Sequence, residues 1–137
     1  MKNKALSLTL TMLMLCAMVT TALAAPIATC WDNIKACNPT LNFSGTTAIC
    51  KASIEGESGT TKINAQMFLQ ERKSSGSYAT VKHWPLQTTT GSSLNLSEKQ
   101  TGCTSGTYYR VGVITNVFNS DGTSESITSY SSSAKCP

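Results

Sequence analysis

Charge is scarce. Lysine and arginine number 11, aspartate and glutamate 7, and together they make 13% of 137 residues, about half the share of an average soluble domain. Histidine occurs once, at His83, which leaves little for an imidazole-based metal centre and limits acid–base catalysis at neutral pH to one side chain. Proline is rare, with 4 residues, so a proline-rich stalk is excluded. No segment beyond the N-terminal stretch sustains a helical period: the run Ile63 to Lys73 is flanked by Gly59-Thr60-Thr61 and Ser74-Ser75-Gly76 rather than by helix caps.

What is present begins with an export pattern. A basic start, Met1-Lys2-Asn3-Lys4, leads into an apolar run from Ala5 to Val19, and small residues stand at Ala22 and Ala24. This layout predicts a signal peptide over 1–24, since the run is short for a membrane span of about 20 residues. Residues 25–39 have no clean period and read as an N-terminal arm, and a single domain is expected over 40–137. Loss of the signal removes Lys2 and Lys4, leaving 9 basic against 7 acidic residues, a net +2. That is a weak footprint for nucleic acid or for membrane attack, and neither a nucleic-acid partner nor stable membrane insertion is expected.

Cysteine follows from the address. Cys16 leaves with the signal, and Cys30, Cys37, Cys50, Cys103 and Cys136 remain. Thiols in an oxidising compartment pair, and five is odd, so one is left over or joins a second chain as a disulfide-linked dimer. No closely spaced cysteine pair with histidines offers a zinc site, and no regular run of aspartates offers a calcium loop.

The mature chain alternates with period two. Ala48, Cys50, Ala52 and Ile54 share one face of a run; Ile63, Ala65, Met67 and Leu69 share another; Tyr109, Val111, Val113 and Val117 share a third. With shorter runs at Leu41–Phe43, Tyr78–Trp84, Leu94–Leu96 and Thr123–Ser133, seven strands separated by Gly, Ser, Thr and Asn turns predict an antiparallel, immunoglobulin-like β-sandwich. Asp121-Gly122 between two such runs is a hairpin signal. In such a sandwich the second and sixth strands start at one end. Cys50 and Cys103 are therefore the expected pair, Cys136 is the rival partner for Cys103, and the partners of Cys30 and Cys37 stay open.

Cys50-Lys51-Ala52-Ser53-Ile54, Gly59-Thr60-Thr61-Lys62-Ile63, Gly106-Thr107-Tyr108-Tyr109-Arg110-Val111 and Asp121-Gly122-Thr123-Ser124-Glu125-Ser126 occur in that order. The succession resembles an uncharacterised family of small secreted proteins from Gram-positive bacteria. The resemblance spans roughly residues 40–133. It implies a single Ig-like sandwich behind a signal peptide and brings no catalytic residues with it.

Candidate chemistry is thin. His83 could serve a hydrolase only with a base-held nucleophile, and no Gly-x-Ser-x-Gly turn accompanies it. Glu55 and Glu57 sit in a Gly/Ser loop that reads as solvated rather than as a glycosidase pair. Trp84 and Tyr109 are expected in the core, and Tyr108 as a hydroxyl bonded back to backbone. Tyr108 and Arg110, opposite the valine face, are the candidates for an exposed binding row. These observations favour a secreted, non-catalytic module, without cofactor or metal, that meets an extracellular or cell-surface partner. A small secreted effector (an antimicrobial protein or enzyme inhibitor) is the second expectation, and a His83-dependent hydrolase the third.

Overall fold

The computed structural model describes residues 31–137; the expected export signal and Cys30 lie outside the described residues. Strands β1 (Ile34–Ser44), β2 (Thr47–Gly56) and β6 (Ser93–Gln100) form one sheet in the order β1-β2-β6. Strands β3 (Thr60–Arg72), β4 (Tyr78–His83), β7 (Tyr108–Asn119) and β8 (Ser124–Tyr130) form the other in the order β4-β3-β7-β8. Two short pieces complete it: β5 (Gln87–Thr90) pairs with β3, and β9 (Ala134–Lys135) with β7. All pairings are antiparallel. No helix occurs among the described residues.

Alternation explains why the sheets stack. Period two sends one set of side chains to each face, and the apolar set can leave water only against another sheet. Cys50, Ala52, Ile54 and Leu96 from the smaller sheet meet Ile63, Met67, Leu69, Val111, Val113 and Val117 from the larger one in a single buried cluster. Trp84 and Tyr109 are buried with them. The result is an all-β, sandwich-like body with one core between two antiparallel sheets.

Nine strands stand where seven were expected, the additions being the short pieces β5 and β9, and two further readings change. The expected arm at 25–39 is strand from Ile34 onward: β1 pairs along its length with β2, with a register shift between Ile34 and Ala36. That irregularity, and Pro39 on an edge strand where no N–H is needed for the ladder, blur the period that marks a strand. The backbone-directed hydroxyl expected of Tyr108 belongs instead to Tyr109. Tyr108 pairs with Lys135 on the solvent face, whereas Tyr109 points inward and its hydroxyl accepts from the Thr104 N–H at 2.9 Å. The same hydroxyl donates to Glu71 Oε2 at 3.4 Å.

Tyr109→Phe keeps the ring and removes both bonds. It is expected to cost about 1 kcal/mol, or roughly 4–5 °C of thermal midpoint. An unchanged midpoint would show that the hydroxyl is idle.

The hairpin at Asp121-Gly122 forms as expected. Gly122 takes φ +86°, and Asn119 N–H donates to Thr123 O at 2.9 Å. Asp121 Oδ1 accepts from the Thr123 hydroxyl and N–H at 2.6 and 2.8 Å, and these bonds hold its carboxyl below the ordinary carboxylate range. The Ser/Thr-rich β8 lies at the sheet edge, where polar side chains discourage pairing with other chains.

Candidate functional site

The outer face of the six-stranded sheet carries an aromatic and cationic array. Its centre is a gap: Gly112 on β7 stands opposite Phe68 on β3 and Tyr130 on β8. A glycine inside a strand leaves bare backbone, and an aromatic ring from a neighbouring strand can cover it. Phe68 does so. Its ring occupies the space a Gly112 Cβ would need, and it is only 4% exposed although it projects from the solvent side. Tyr130 meets it edge-on at 6.0 Å between centroids and 83°, and His83 flanks it at 5.8 Å.

Arg110 is built into the same array. Its guanidinium lies between two rings, 4.0 Å from the Tyr78 centroid and 4.1 Å from that of Tyr130. Its Nε donates to Gln70 Oε1 at 2.8 Å, across the β3–β7 pair in which the two residues are partners. Tyr78 is fixed from outside by a hydrogen bond between its hydroxyl and that of Ser133. Farther along, Arg72 lies 5.9 Å from the Tyr108 ring, and Lys62 Nζ sits 4.1 Å over Phe118. Each such contact is worth about 0.5–1 kcal/mol at an exposed site, so the array stiffens the cations more than it stabilises the fold. Tyr108, Tyr130 and Ile114 remain 41%, 46% and 38% exposed.

The two candidates from sequence, Tyr108 and Arg110, thus lie on one face. Sequence reasoning missed Phe68 and Gly112 and did not connect Tyr78 and Tyr130 to the row. The available signals were a glycine within the strongest strand and an aromatic at an outward position of β3. His83 is exposed at the rim, beside Phe68; among the described residues it has no hydrogen bond to a serine or a carboxylate. Glu55 forms an exposed ion pair with Lys35 at 3.3 Å, apart from Glu57, whose backbone caps a turn. Among the described residues no three His, Cys, Asp or Glu side chains are grouped to hold a metal.

A second feature is the thiol-bearing end of the core. Cys37, Cys50, Cys103 and Cys136 are all buried thiols, with no bond between sulfurs among the described residues. Burial, the neighbouring Cys103 thiol and the Glu98 carboxylate push Cys50 up to about 12. Cys103 is also raised, chiefly by burial, against the backbone bond at Ala48 that lowers it; Cys136 and Glu71 add to the rise. Cys136 Sγ approaches Cys103 O at 3.7 Å. Cys103 thus neighbours both Cys50 and Cys136, and it lines a cleft of about 130 Å³ together with Glu71, Val81 and Tyr109. Burial holds the Cys50 and Cys103 thiols in their neutral, weakly nucleophilic form.

No family model matches the chain, and no curated protein does. Among solved structures it is similar to Spo0M, a sporulation control protein from Bacillus subtilis, with 16% identity and a TM-score of 0.37. The match covers 73% of this chain and 49% of that one, so this chain spans about half the length of that protein. A likeness of that degree bears on neither activity nor partner.

Proposed function

We propose that this chain is a secreted, non-catalytic, immunoglobulin-like module that binds an extracellular or cell-surface partner through the outer face of its six-stranded sheet. One observation carries the reading: Arg110 is clamped between Tyr78 and Tyr130 on a face where Tyr108, Tyr130 and Ile114 stay exposed. Rigid aromatic and arginine side chains lose little conformational entropy on binding, which is why they dominate binding hot spots. Export is supported by the basic, apolar and small-residue sequence over 1–24. The immunoglobulin-like assignment draws support from the order β1-β2-β6 facing β4-β3-β7-β8 and from the Tyr109 hydroxyl bonded to backbone upstream. On the same reading an oxidising compartment joins Cys50 to Cys103, with Cys136 the competing partner.

The test compares the folded mature protein with Tyr108→Ser/Tyr130→Ser over immobilised wall polymers, glycans and surface proteins. Retention of the parent by a component that releases the double variant is the expected result. Equal retention of both, or retention of neither, would contradict the assignment of this face.

A further inference from the structure

We infer that the ligand of this face is an anionic polysaccharide bearing carboxylates, of the polyuronate class. The inference rests on the reading of the face as a binding surface and adds what that surface recognises.

The first ground is charge. Lys62, Arg72 and Arg110 lie at outward positions of β3 and β7, and Lys135 joins them as the partner of Tyr108 in the β7–β9 pair. Not one outward position of this sheet holds a carboxylate. Glu71 pairs with Tyr109 and Glu125 with Val117, both on the inward set. Glu98 faces Cys50 in the other sheet, Glu55 pairs there with Lys35, and Asp32, Glu57 and Asp121 lie outside the strands. The only ion pairs among the described residues, Lys35–Glu55 and Lys73–Glu71, leave all four cations of the face without a carboxylate. A chain of nearly balanced charge has thus gathered one sign on one surface, which attracts polyanions.

The second ground is the form of Arg110. Two rings lie about 4 Å from its guanidinium and Gln70 takes its Nε–H, so the terminal N–H groups are what it has left to offer. A planar fork held this way matches a carboxylate bidentately, as it does a phosphate, and the phosphate polymer in the test below separates the two.

The third ground separates a sugar polymer from other polyanions. Tyr78 and Tyr130 each spend one ring face on Arg110, so these rings are stacked on a cation rather than set out with both faces open to successive nucleobases. Asn64 Oδ1 is buried and Gln66 Nε2 already donates to Trp84 O at 3.0 Å, whereas Asn116, Ser126 and Thr128 occupy outward positions between the cations. Their amides and hydroxyls both donate and accept, as sugar hydroxyls do. Arg110 and Phe118, beside Lys62, are eight residues apart on β7, about 27 Å of strand, a span for a polymer rather than one sugar.

Affinity electrophoresis of the folded mature protein tests this against four probes: polygalacturonate, the same polymer with its carboxyls reduced to alcohols, a glycerol-phosphate polymer, and oligo-dT. Retardation by polygalacturonate is expected, falling about ten-fold or more between 50 and 300 mM salt if several contacts are ionic. Arg110→Gln should weaken it about ten-fold and Lys135→Gln, a peripheral site that leaves the array intact, a few-fold. Equal binding to the reduced polymer would overturn the anionic assignment, while loss of that binding in Tyr108→Ser/Tyr130→Ser would leave the binding face standing. Tighter binding to the phosphate polymer or to oligo-dT would overturn the uronate class. Binding to none of the four would refute the inference.

Discussion

Replacing Gly112 with valine is expected to lower stability by about 2 kcal/mol, some 8 °C of thermal midpoint, and to disperse the aromatic array. By backbone conformation alone the change should help. Gly112 has an ordinary strand φ, and a β-branched residue in a strand gains roughly 0.5–1 kcal/mol over glycine. The side chain decides the sign. A Cβ at this position overlaps the Phe68 ring, which is nearly buried and must leave, and exposing a phenylalanine costs about 2–3 kcal/mol. Tyr130 then loses its edge contact and Arg110 one wall of its clamp. Phe68→Ala alone should cost about 3 kcal/mol, and the double variant about 1–2 kcal/mol less than the sum, because valine refills the space. Thermal unfolding of the four proteins measures this, and strict additivity would show that the ring and the glycine are not matched.

Oxidation should have the larger effect. Joining Cys50 and Cys103 transfers two electrons and two protons to a disulfide oxidant and closes a loop of about 50 residues, worth about 4 kcal/mol on a chain-entropy estimate. Reductant should then lower the thermal midpoint by more than about 10 °C. The reduced protein carries a pH signature. Its folded state keeps the Cys50 proton up to about 12, against an ordinary 9.0. Above pH 9 the unfolded chain releases that proton and the folded one does not, so stability falls as pH rises from about 9 to about 12. The bridged protein has no such proton, and Cys50→Ala should remove the corresponding slope from the reduced form. Peptide mapping that joins Cys103 to Cys136 instead, with an alkaline slope unchanged by oxidation, would contradict the pairing.

Much of the architecture was legible because burial on one face of a strand writes itself as alternation. Ala48-to-Ile54, Ile63-to-Leu69 and Tyr109-to-Val117 became the middle of the core. What was illegible had no alternating apolar set to show. Gln87–Thr90 is a polar edge piece, and Ala134–Lys135 is two residues long. The first six residues of β1 were hidden by the irregularity at Ile34/Ala36 and by Pro39. The face that carries Tyr108 and Arg110 was visible as a parity argument on one strand. Its assembly was not, because Arg110 meets Tyr78 and Tyr130 from two other strands, and only register decides such neighbours. The thiol end shows the same division: strand order brings Cys50, Cys103 and Cys136 to one end, and only packing shows that Cys103 neighbours both of the others.

The most direct measurement of the account is a backbone and arginine-side-chain NMR titration of the folded protein with polygalacturonate fragments. Shifts should concentrate at the Arg110 Nε–H and at the amides of β3, β7 and β8 around Phe68, Gly112 and Tyr130. Shifts on the outer face of β1-β2-β6, with the Arg110 signal unmoved, would place the working surface on the wrong sheet.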